Sequence, residues 1–362
     1  MKKQLKQLGM IAMAICTLSS CKKDTPTTSV TEGNYEHGYF VTNEGGFGSG
    51  NGSISFISND NTVENNVFAS INSFLLGDVV QSMNIINDKA YIVVNNSYKI
   101  EVANIDSMTH VASIEGGHFQ SPRYILQVDE NKAYVSDWGG GFGGAIVIID
   151  LDSNIQTDLI YNGGSPEGLV KSGDKVFTAD GGYGWSGSAP RVSVISTITD
   201  EIESTIDVGD VPRSIQVDAN GDVWVLCEGK TEYDADWNIV GHTAGQLVKI
   251  NGTTAQIEET FIFADSTQHP SNLVINDAGT TLYFSNGGWA KAVYAFDIAD
   301  TQLPTTALIN KSFYGLGCNG GYIYGTDAVD FVQNGWSYRY TTSGAIVDSV
   351  QVGIIPGGYS FN

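Results

Sequence analysis

The sequence predicts an all-β fold, a seven-bladed β-propeller whose ring is closed by the C-terminal strand pairing with the N-terminal blade. Three observations predict it: a repeated Pro, a repeated set of strands, and two chain ends that each lack what the other supplies. A four-stranded unit that recurs about every 40–50 residues is the pattern of a propeller blade. Together these observations indicate one repeat architecture over residues 37–362.

The first observation is a Pro that opens a short apolar segment. It recurs in Pro122-Arg123, Pro166-Glu167, Pro212-Arg213, Pro270-Ser271 and Pro356-Gly357. The spacings are 44, 46, 58 and 86 residues, and the last corresponds to two periods of 43. A nearly fixed period of this length is typical of repeated supersecondary units.

The second observation is a strongly apolar strand that follows each opening strand after a turn. Seven such second strands occur: YFVTN (39–43), AYIVVN (90–95), AYVSDW (133–138), VFTAD (176–180), VWVLCE (223–228), LYFSNG (282–287) and YIYGTD (322–327). A third strand such as 145–151 and a more polar fourth such as 201–209 complete the unit. Seven second strands predict seven blades, whereas a β-sandwich would not explain the sevenfold repeat.

The third observation concerns the two ends of the chain. Residues 356–362 resemble a first strand that no second strand follows, and residues 39–43 form a second strand that no clear first strand precedes. Pairing the two would complete one blade and remove an exposed sheet edge.

The charge and cysteine content exclude several classes of function. Lys and Arg total 18 against 40 Asp and Glu, a formal charge of −22. Such an acidic surface repels nucleic-acid backbones and offers no basic patch for anionic lipid. Cys227 and Cys318 fall two blades apart and are expected to remain free thiols, which excludes a disulfide framework.

The N-terminus predicts export and lipidation. Residues 1–20 read as a secretory signal, with a lysine-rich start and an apolar run too short to span a bilayer. The run ends in Leu-Ser-Ser-Cys21, which resembles a bacterial lipobox, so Cys21 is predicted to carry lipid. Residues 21–36 are then a flexible tether. We expect a lipid-anchored protein of the outer membrane that faces the cell exterior.

The repeats resemble a known group of propellers. The segment YFVTNEGG (39–46), the Pro-initiated strands and the third strands resemble the YVTN or YncE-like propellers over residues 37–362. The Lys-Lys-Asp run at 22–24 resembles the export tag of surface lipoproteins in Bacteroidetes. Seven blades on such a tether resemble the BtuG-type proteins. That resemblance implies capture of cobalamin, or a related corrinoid, and its transfer to a TonB-dependent transporter of the BtuB type.

Loops between second and third strands carry the exposed aromatic residues expected at a binding face. In a propeller these loops share one face with the segments that enter the first strands. Large rings on a rigid scaffold supply contact area at small entropic cost. The candidate ligand-binding residues on these loops are Phe47, Tyr98, Trp138, Phe142, Tyr183, Trp185, Tyr233, Trp237, Trp289 and Trp336. Alternatively, each ring folds back to cap its own blade.

A second group of candidates lies near the starts of first strands and therefore near the propeller axis. These ligand-binding candidates are Phe119, Arg123, Arg213, His269, Tyr314 and Tyr359. An arginine there can donate hydrogen bonds to amide carbonyls or to a phosphate. The alternative for Arg123 is an ion pair with Glu167 of the next blade.

No catalytic or metal-binding residues are predicted. The five histidines lack the HExxH spacing of a helical zinc site, and no GxSxG nucleophile motif occurs. Asp234 and Asp236 offer at most a weak calcium site, and no cofactor is expected. Two other functions stay open: a glycan- or protein-binding scaffold, and a propeller lactonase or lyase.

Overall fold

The computed structural model describes residues 35–139, 143–182, 189–288 and 290–362. Tyr35 is already buried, its N–H donates to the carbonyl oxygen of Asp106, and its ring packs edge-on to Phe56. The packed chain therefore starts two residues before the predicted boundary at 37. The predicted signal peptide, Cys21 and most of the tether lie outside the described residues, as do Phe142, Tyr183, Trp185 and Trp289.

The first three blades are antiparallel sheets of four strands, and the fourth strand of blade 1 comes from the C-terminal end of the chain. Blade 1 contributes β1 (Gly38–Asn43), β2 (Ser53–Ser58) and β3 (Val63–Glu64), followed by the helix α1 (Val67–Asn72). Blade 2 comprises β4 (Val80–Ile86), β5 (Lys89–Val94), β6 (Lys99–Asn104) and β7 (His110–Glu115). Between β5 and β6 lies a single 3₁₀ turn (Asn95–Ser97). Blade 3 comprises β8 (Pro122–Gln127), β9 (Lys132–Asp137), β10 (Ala145–Asp150) and β11 (Ile155–Tyr161).

Blades 4 and 5 continue the pattern, with an extra hairpin in blade 5. Blade 4 comprises β12 (Leu169–Ser172), β13 (Lys175–Ala179), β14 (Arg191–Ser196) and β15 (Glu201–Asp207). Blade 5 contains β16 (Pro212–Val217) and β17 (Val223–Cys227), and its inserted hairpin is β18 (Thr231–Tyr233) with β19 (Ile239–His242). Its outer strands are β20 (Gln246–Ile250) and β21 (Ile257–Ile262).

Blades 6 and 7 end the chain. Blade 6 has three strands, β22 (Ser271–Ile275), β23 (Thr281–Asn286) and β24 (Ala292–Asp297), and an isolated bridge from Val293 to Ile309 stands where a fourth would pair. Blade 7 comprises β25 (Leu316–Asn319), β26 (Tyr322–Asp327), β27 (Asn334–Thr341) and β28 (Ile346–Ile354). The last strand is β29 (Pro356–Phe361).

The ring closes as predicted. Strand β29 pairs antiparallel with β1, and it forms the innermost strand of blade 1, in the order β29-β1-β2-β3. Tyr39 faces Phe361 and Phe40 faces Ser360 in this register. The predicted seven-bladed propeller is confirmed, and the two incomplete ends of the chain complete one blade.

The core lies between neighbouring blades. The second strands are buried along almost their whole length because both of their faces meet another sheet, as in β9 and β17. One cluster joins blades 2 and 3 through residues such as Tyr91, Ile125 and Val135. Each buried Val or Ile contributes about 1.5–3 kcal/mol, so each blade depends on its neighbours for stability.

A residue with a positive φ precedes several innermost strands. Its carbonyl group binds the residue that follows a second strand. Val79, Val211 and Ile355 have φ values of 59°, 55° and 52°, which is rare for β-branched residues. Their carbonyl oxygens accept the N–H of Asn95, Glu228 and Glu44, at 2.8, 3.0 and 2.8 Å. In these three blades the residue that directly follows the second strand is thereby held beside the start of an innermost strand, at one end of the axial channel.

Cys227 is buried and Cys318 half-buried, and both are free thiols, as predicted. Within the described part of the chain, no helix has the length and apolar character needed to cross a membrane.

Candidate functional site

One residue from each blade forms a ring at one end of the axial channel, which we call the channel mouth. Each is the second residue of an innermost segment, after the repeated Pro or in the equivalent place: Gln81, Arg123, Glu167, Arg213, Ser271, Tyr314 and Gly357. All seven line a cavity of about 680 Å³. A concave site with a few convergent polar and charged groups is a candidate place for a ligand.

Three more charged side chains join this ring from the adjoining loops. Glu44 and Glu228 directly follow the second strands of blades 1 and 5, and Lys291 ends a loop of blade 6. The cavity therefore holds three carboxylates (with Glu167) and three cations (with Arg123 and Arg213), so it is formally neutral. The whole chain, in contrast, carries −22.

The Arg123 side of the mouth is a closed ion pair. Arg123 Nη2 and Nε donate to the two carboxylate oxygens of Glu167 at 2.8 and 3.1 Å, and Nη1 donates to Gln81. The side chain of Glu167 is only 4% exposed. The structure therefore contains the alternative considered for Arg123, an ion pair with Glu167 of the neighbouring blade.

The Trp138 ring packs against the Arg123 guanidinium of this pair. The guanidinium carbon of Arg123 lies 3.9 Å from the centre of the Trp138 ring, which is a cation–π contact. The indole also lies over Gly182, where an added Cβ would stand 2.1 Å from Trp138 Nε1. A glycine is required there because any side chain would displace the ring.

The Arg213 side of the mouth is looser. Arg213 Nη2 donates to the carbonyl oxygen of Gly182 at 2.9 Å, while Nη1 is 3.6 Å from Glu228 Oε2. Lys291 Nζ donates to Ser271 Oγ at 2.8 Å. This half of the cavity is therefore held by single contacts rather than by a bidentate pair.

Glu44 occupies the blade 7 side. Both of its carboxylate oxygens accept from the Tyr314 hydroxyl at 3.1 Å. Gly357 leaves the space for this carboxylate, since a Cβ there would stand 2.8 Å from Glu44 Oε1.

Burial perturbs the titratable groups of the mouth. It raises the pKa of Glu44, which the Tyr314 hydroxyl and Arg123 partly oppose. Burial likewise raises the pKa of Glu228, against the opposing charges of Arg213 and Lys291, and it lowers the pKa of Lys291. Groups perturbed in this way within a cavity are candidates for binding or proton exchange.

Four of the predicted axis residues lie together in the cavity wall: Arg123, Arg213, Tyr314 and Tyr359. Tyr359 packs among Tyr39, Tyr324 and Phe361, and its hydroxyl is 3.0 Å from Ser337 Oγ.

The predicted loop aromatics within the described residues are spread over five blades, and most are exposed. Phe47 is 80% exposed and Trp237 70%, with Tyr98, Tyr233 and Trp336 exposed to a lesser degree. Tyr233 and Trp237 lie together on the blade 5 hairpin, with ring centres 6.1 Å apart. The other three belong to blades 1, 2 and 7.

Three predicted residues have other roles in the structure. Phe119 is 3% exposed and belongs to the core between blades 2 and 3, so it is not on a ligand-binding surface. Trp138 is half-buried beneath Arg123. His269 is half-buried, with Nδ1 3.0 Å from the carbonyl oxygen of Glu228 and Nε2 3.3 Å from Thr231 Oγ1.

Among the described residues, the possible calcium site at Asp234 and Asp236 acquires no third acidic, His or Cys ligand. Asp234 Oδ1 accepts the N–H groups of Asp236 and Asn238 at 2.9 Å, closing the turn between β18 and β19. Among the residues that the structure describes, no group of three acidic, His or Cys side chains is placed to hold a metal ion.

Sequence reasoning missed several polar residues of the cavity, among them Glu44, Gln81, Glu228, Asn272 and Lys291. A signal for two of them was present. Glu44 and Glu228 stand in the same place of the repeat, directly after the second strand, as Trp138 does. Comparing equivalent positions across all seven blades would have placed them beside the axis.

Fold and site together define a seven-bladed propeller with a polar cavity at one end of its axis. The chain belongs to the family described as "Domain of unknown function (DUF5074)", which matches residues 37–346. No curated protein matches the chain.

Several solved structures share the fold. A proposed 6-phosphogluconolactonase from Bacteroides uniformis ATCC 8492 is 14% identical with a TM-score of 0.66, covering 90% of this chain and 100% of that one. A second, from Bacteroides fragilis NCTC 9343, is 13% identical with a TM-score of 0.64, covering 90% and 98%. The periplasmic gluconolactonase PpgL of Pseudomonas aeruginosa is 14% identical with a TM-score of 0.63, covering 89% and 98%. At such identities the similarity shows the fold alone.

Proposed function

We propose that this protein captures cobalamin, or a related corrinoid, over the channel mouth and passes it to a TonB-dependent outer-membrane transporter. The observation that carries the proposal is the cavity itself, a polar but formally neutral site at the axis, bordered by exposed rings. The ligand class comes from the resemblance to BtuG-type proteins. The proposed activity is reversible capture, without a chemical reaction.

The chemistry of the mouth suits a large ligand that carries many amides. The rim of a corrin bears carboxamide groups, which both donate and accept hydrogen bonds. Arg213, Lys291 and Asn272 can donate to amide oxygens, while Glu44 can accept from amide nitrogens. A neutral cavity binds such a ligand without burying uncompensated charge.

Exposed rings beside the mouth suit the apolar edges of the same ligand. Tyr314 and Phe331 are both about half exposed and meet edge to face, with ring centres 5.6 Å apart. Tyr314 lines the cavity, so this pair links the polar mouth to the outer loops. Rings that are already packed lose little entropy on binding.

Capture at a cell surface also requires an anchor and a recipient. Lipidation of Cys21 would hold the propeller at the outer membrane on its tether, within reach of a transporter. The proposed partner is a TonB-dependent transporter of the BtuB type, to which the ligand would be released.

A mixing experiment tests this function. Mature protein is incubated with cyanocobalamin and passed through a desalting column, and absorbance of the ligand is measured in the protein peak. We expect about one equivalent to co-elute. The double substitution Tyr314→Ala and Phe331→Ala should weaken retention about tenfold or more, because two ring contacts are lost.

Ile198→Ala serves as the matched control. Ile198 is also strongly exposed but lies in the turn between β14 and β15, at the opposite end of the blades from the mouth. It should bind like the wild type. A colourless wild-type protein peak would overturn the capture of cobalamin and leave a glycan or protein ligand.

A second candidate function is hydrolysis of a lactone. It is favoured by the two carboxyl groups in the cavity whose pKa burial raises, Glu44 and Glu228, since such groups can act as general bases. Acid release from gluconolactone, followed in a pH-stat, tests it. A rate above the buffer control that Glu228→Gln or Glu44→Gln abolishes would establish it; no rate above the control would exclude it for this substrate.

A further inference from the structure

We infer that Arg213 and Lys291, which line the cavity together with Glu228, form a binding site for one singly charged oxyanion of the captured ligand, a phosphodiester or a carboxylate. This deepens the proposed function and rests on it, because it names the charged group that the cavity would recognise. In cobalamin that group is the phosphodiester of the nucleotide loop. In another ligand the same site would take a carboxylate.

Arg213 has hydrogen-bonding capacity that its neighbours leave unfilled. Its guanidinium has five N–H donors. One contact is a hydrogen bond to the Gly182 carbonyl oxygen, and the nearest carboxylate oxygen, of Glu228, is 3.6 Å away, beyond hydrogen-bond distance. Its Nε is buried and has no acceptor among the described residues. A buried donor in this state is typical of a site that awaits a water or a ligand.

Lys291 is the second cation of this site, and its ammonium is partly buried in the cavity wall. Its ammonium donates to Ser271 Oγ at 2.8 Å, and within the described ranges no carboxylate lies within 4 Å of it. Burial lowers the pKa of Lys291, the charge of Glu228 opposes this, and that of Arg213 adds to it. A desolvated cation of this kind gains more from an anionic partner than an exposed one does.

The local charge of this half of the channel mouth also favours an anion. Arg213 and Lys291 carry two positive charges and Glu228 one negative charge, so this half of the mouth has a net charge of about +1. One bound monoanion would neutralise it, whereas a dianion would leave an excess of negative charge in a half-buried site. The geometry therefore favours a phosphodiester or a carboxylate over a phosphate monoester.

The site also has neutral donors for such a group. The Ser271 hydroxyl, which accepts from Lys291, and the Asn272 side chain belong to the same cavity wall. Asn272 Nδ2 donates to the carbonyl oxygen of Tyr314 at 3.1 Å and keeps one further N–H. Two cations and two neutral donors can surround the oxygens of one anion, as arginine and lysine do in phosphate sites.

The first experiment compares cobalamin with cobinamide, which has the corrin ring but lacks the phosphodiester. Lys291→Met should weaken cobalamin binding about tenfold and leave cobinamide binding unchanged. Lys175→Met is the matched control, because it removes the same charge at the opposite end of blade 4. Equal weakening of both ligands by Lys291→Met would overturn the oxyanion site while leaving the proposed function intact.

The second experiment reverses the direction of the effect. Glu228→Gln removes the competing carboxylate, so it should strengthen cobalamin binding about tenfold, a gain that a misfolded variant cannot produce. No change, or a loss, would overturn the inference.

The third experiment separates the site from the choice of ligand. If wild-type protein binds neither corrinoid, the proposed function fails, and the site is tested alone with dimethyl phosphate and with acetate at constant ionic strength. Either anion should raise the melting temperature of the wild type and, more strongly, of Glu228→Gln, but not of Lys291→Met. Stabilisation by dimethyl phosphate alone, or by acetate alone, identifies the source of the oxyanion. No stabilisation by either anion would overturn the site itself.

Discussion

Two arginines in equivalent positions behave differently at the two sides of the channel mouth. Arg123 and Arg213 both follow the repeated Pro at the start of an innermost strand. Arg123 is closed in a bidentate pair with Glu167 above Trp138, whereas Arg213 makes one hydrogen bond and a long contact to Glu228. The same repeat position therefore gives a structural ion pair in one blade and an open cation in another.

The residue at the same position of the next blade explains the difference. Beside Arg123 that residue is Glu167, which reaches the guanidinium with both oxygens. Beside Arg213 it is Ser271, whose short neutral side chain contacts Lys291 instead. A residue at this position of the channel mouth can pair with the residue at the same position of the next blade. The charge pairing on each side of the mouth therefore depends on two blades.

The largest effect is expected from breaking the closed pair. Glu167→Gln should lower the free energy of unfolding by about 3 kcal/mol, because it leaves the charge of Arg123 buried without its counter-ion. Urea unfolding followed by tryptophan fluorescence measures this. Glu228→Gln is the matched control and should change stability far less. Equal destabilisation by the two variants would show that both sides of the mouth are closed.

A smaller effect is expected from closing the open side. Ser271→Glu places in blade 6 the carboxylate that Glu167 supplies in blade 4, so Arg213 should gain a partner. Oxyanion binding at Arg213 and Lys291 should then weaken about tenfold, since the new carboxylate competes for the same donors. Titration with cobalamin or dimethyl phosphate measures it; unchanged affinity would mean that the ring position does not control this side.

The smallest effect is a change in the pH dependence of stability. Because burial raises the pKa of Glu228 in the folded state, its contribution to stability is present below the usual glutamate pKa of about 4.3 and is lost as pH rises through the folded-state value. Relative to wild type, Glu228→Gln should therefore become more stable as pH rises through that window. Unfolding at a series of pH values, with the exposed Glu115→Gln as control, measures the difference. A constant difference across that window would contradict it.

The periodic parts of the fold could be predicted because they follow from burial. A second strand such as β9 or β17 has a sheet on both faces, so its sequence is continuously apolar and visible as a repeat. The closure of the ring was visible in the same way, from the missing strands at the two ends. The three-stranded blade 6 was not predicted, because the segment that replaces its fourth strand has the same polar character as an outer strand.

The candidate site was predicted only in part. Arg123, Arg213 and Tyr314 were found because the Pro repeat marks the start of each innermost strand. Phe119 could not be told from an exposed loop aromatic, since a buried and an exposed phenylalanine look alike next to glycines. Glu44 and Glu228 lie at strand ends, and only the hydrogen bonds to Ile355 and Val211 bring them to the axis.

The amino-acid pattern alone therefore established seven blades, their order and the closure of the ring, because local periodicity and hydrophobicity encode how many sheets form and which faces are buried. The tertiary structure decided which charges at the mouth meet. Arg123 and Glu167 lie 44 residues apart, and Arg213 and Lys291 78, so their contacts depend on the packing of neighbouring blades. Distances between side chains on different sheets arise only when the ring is complete.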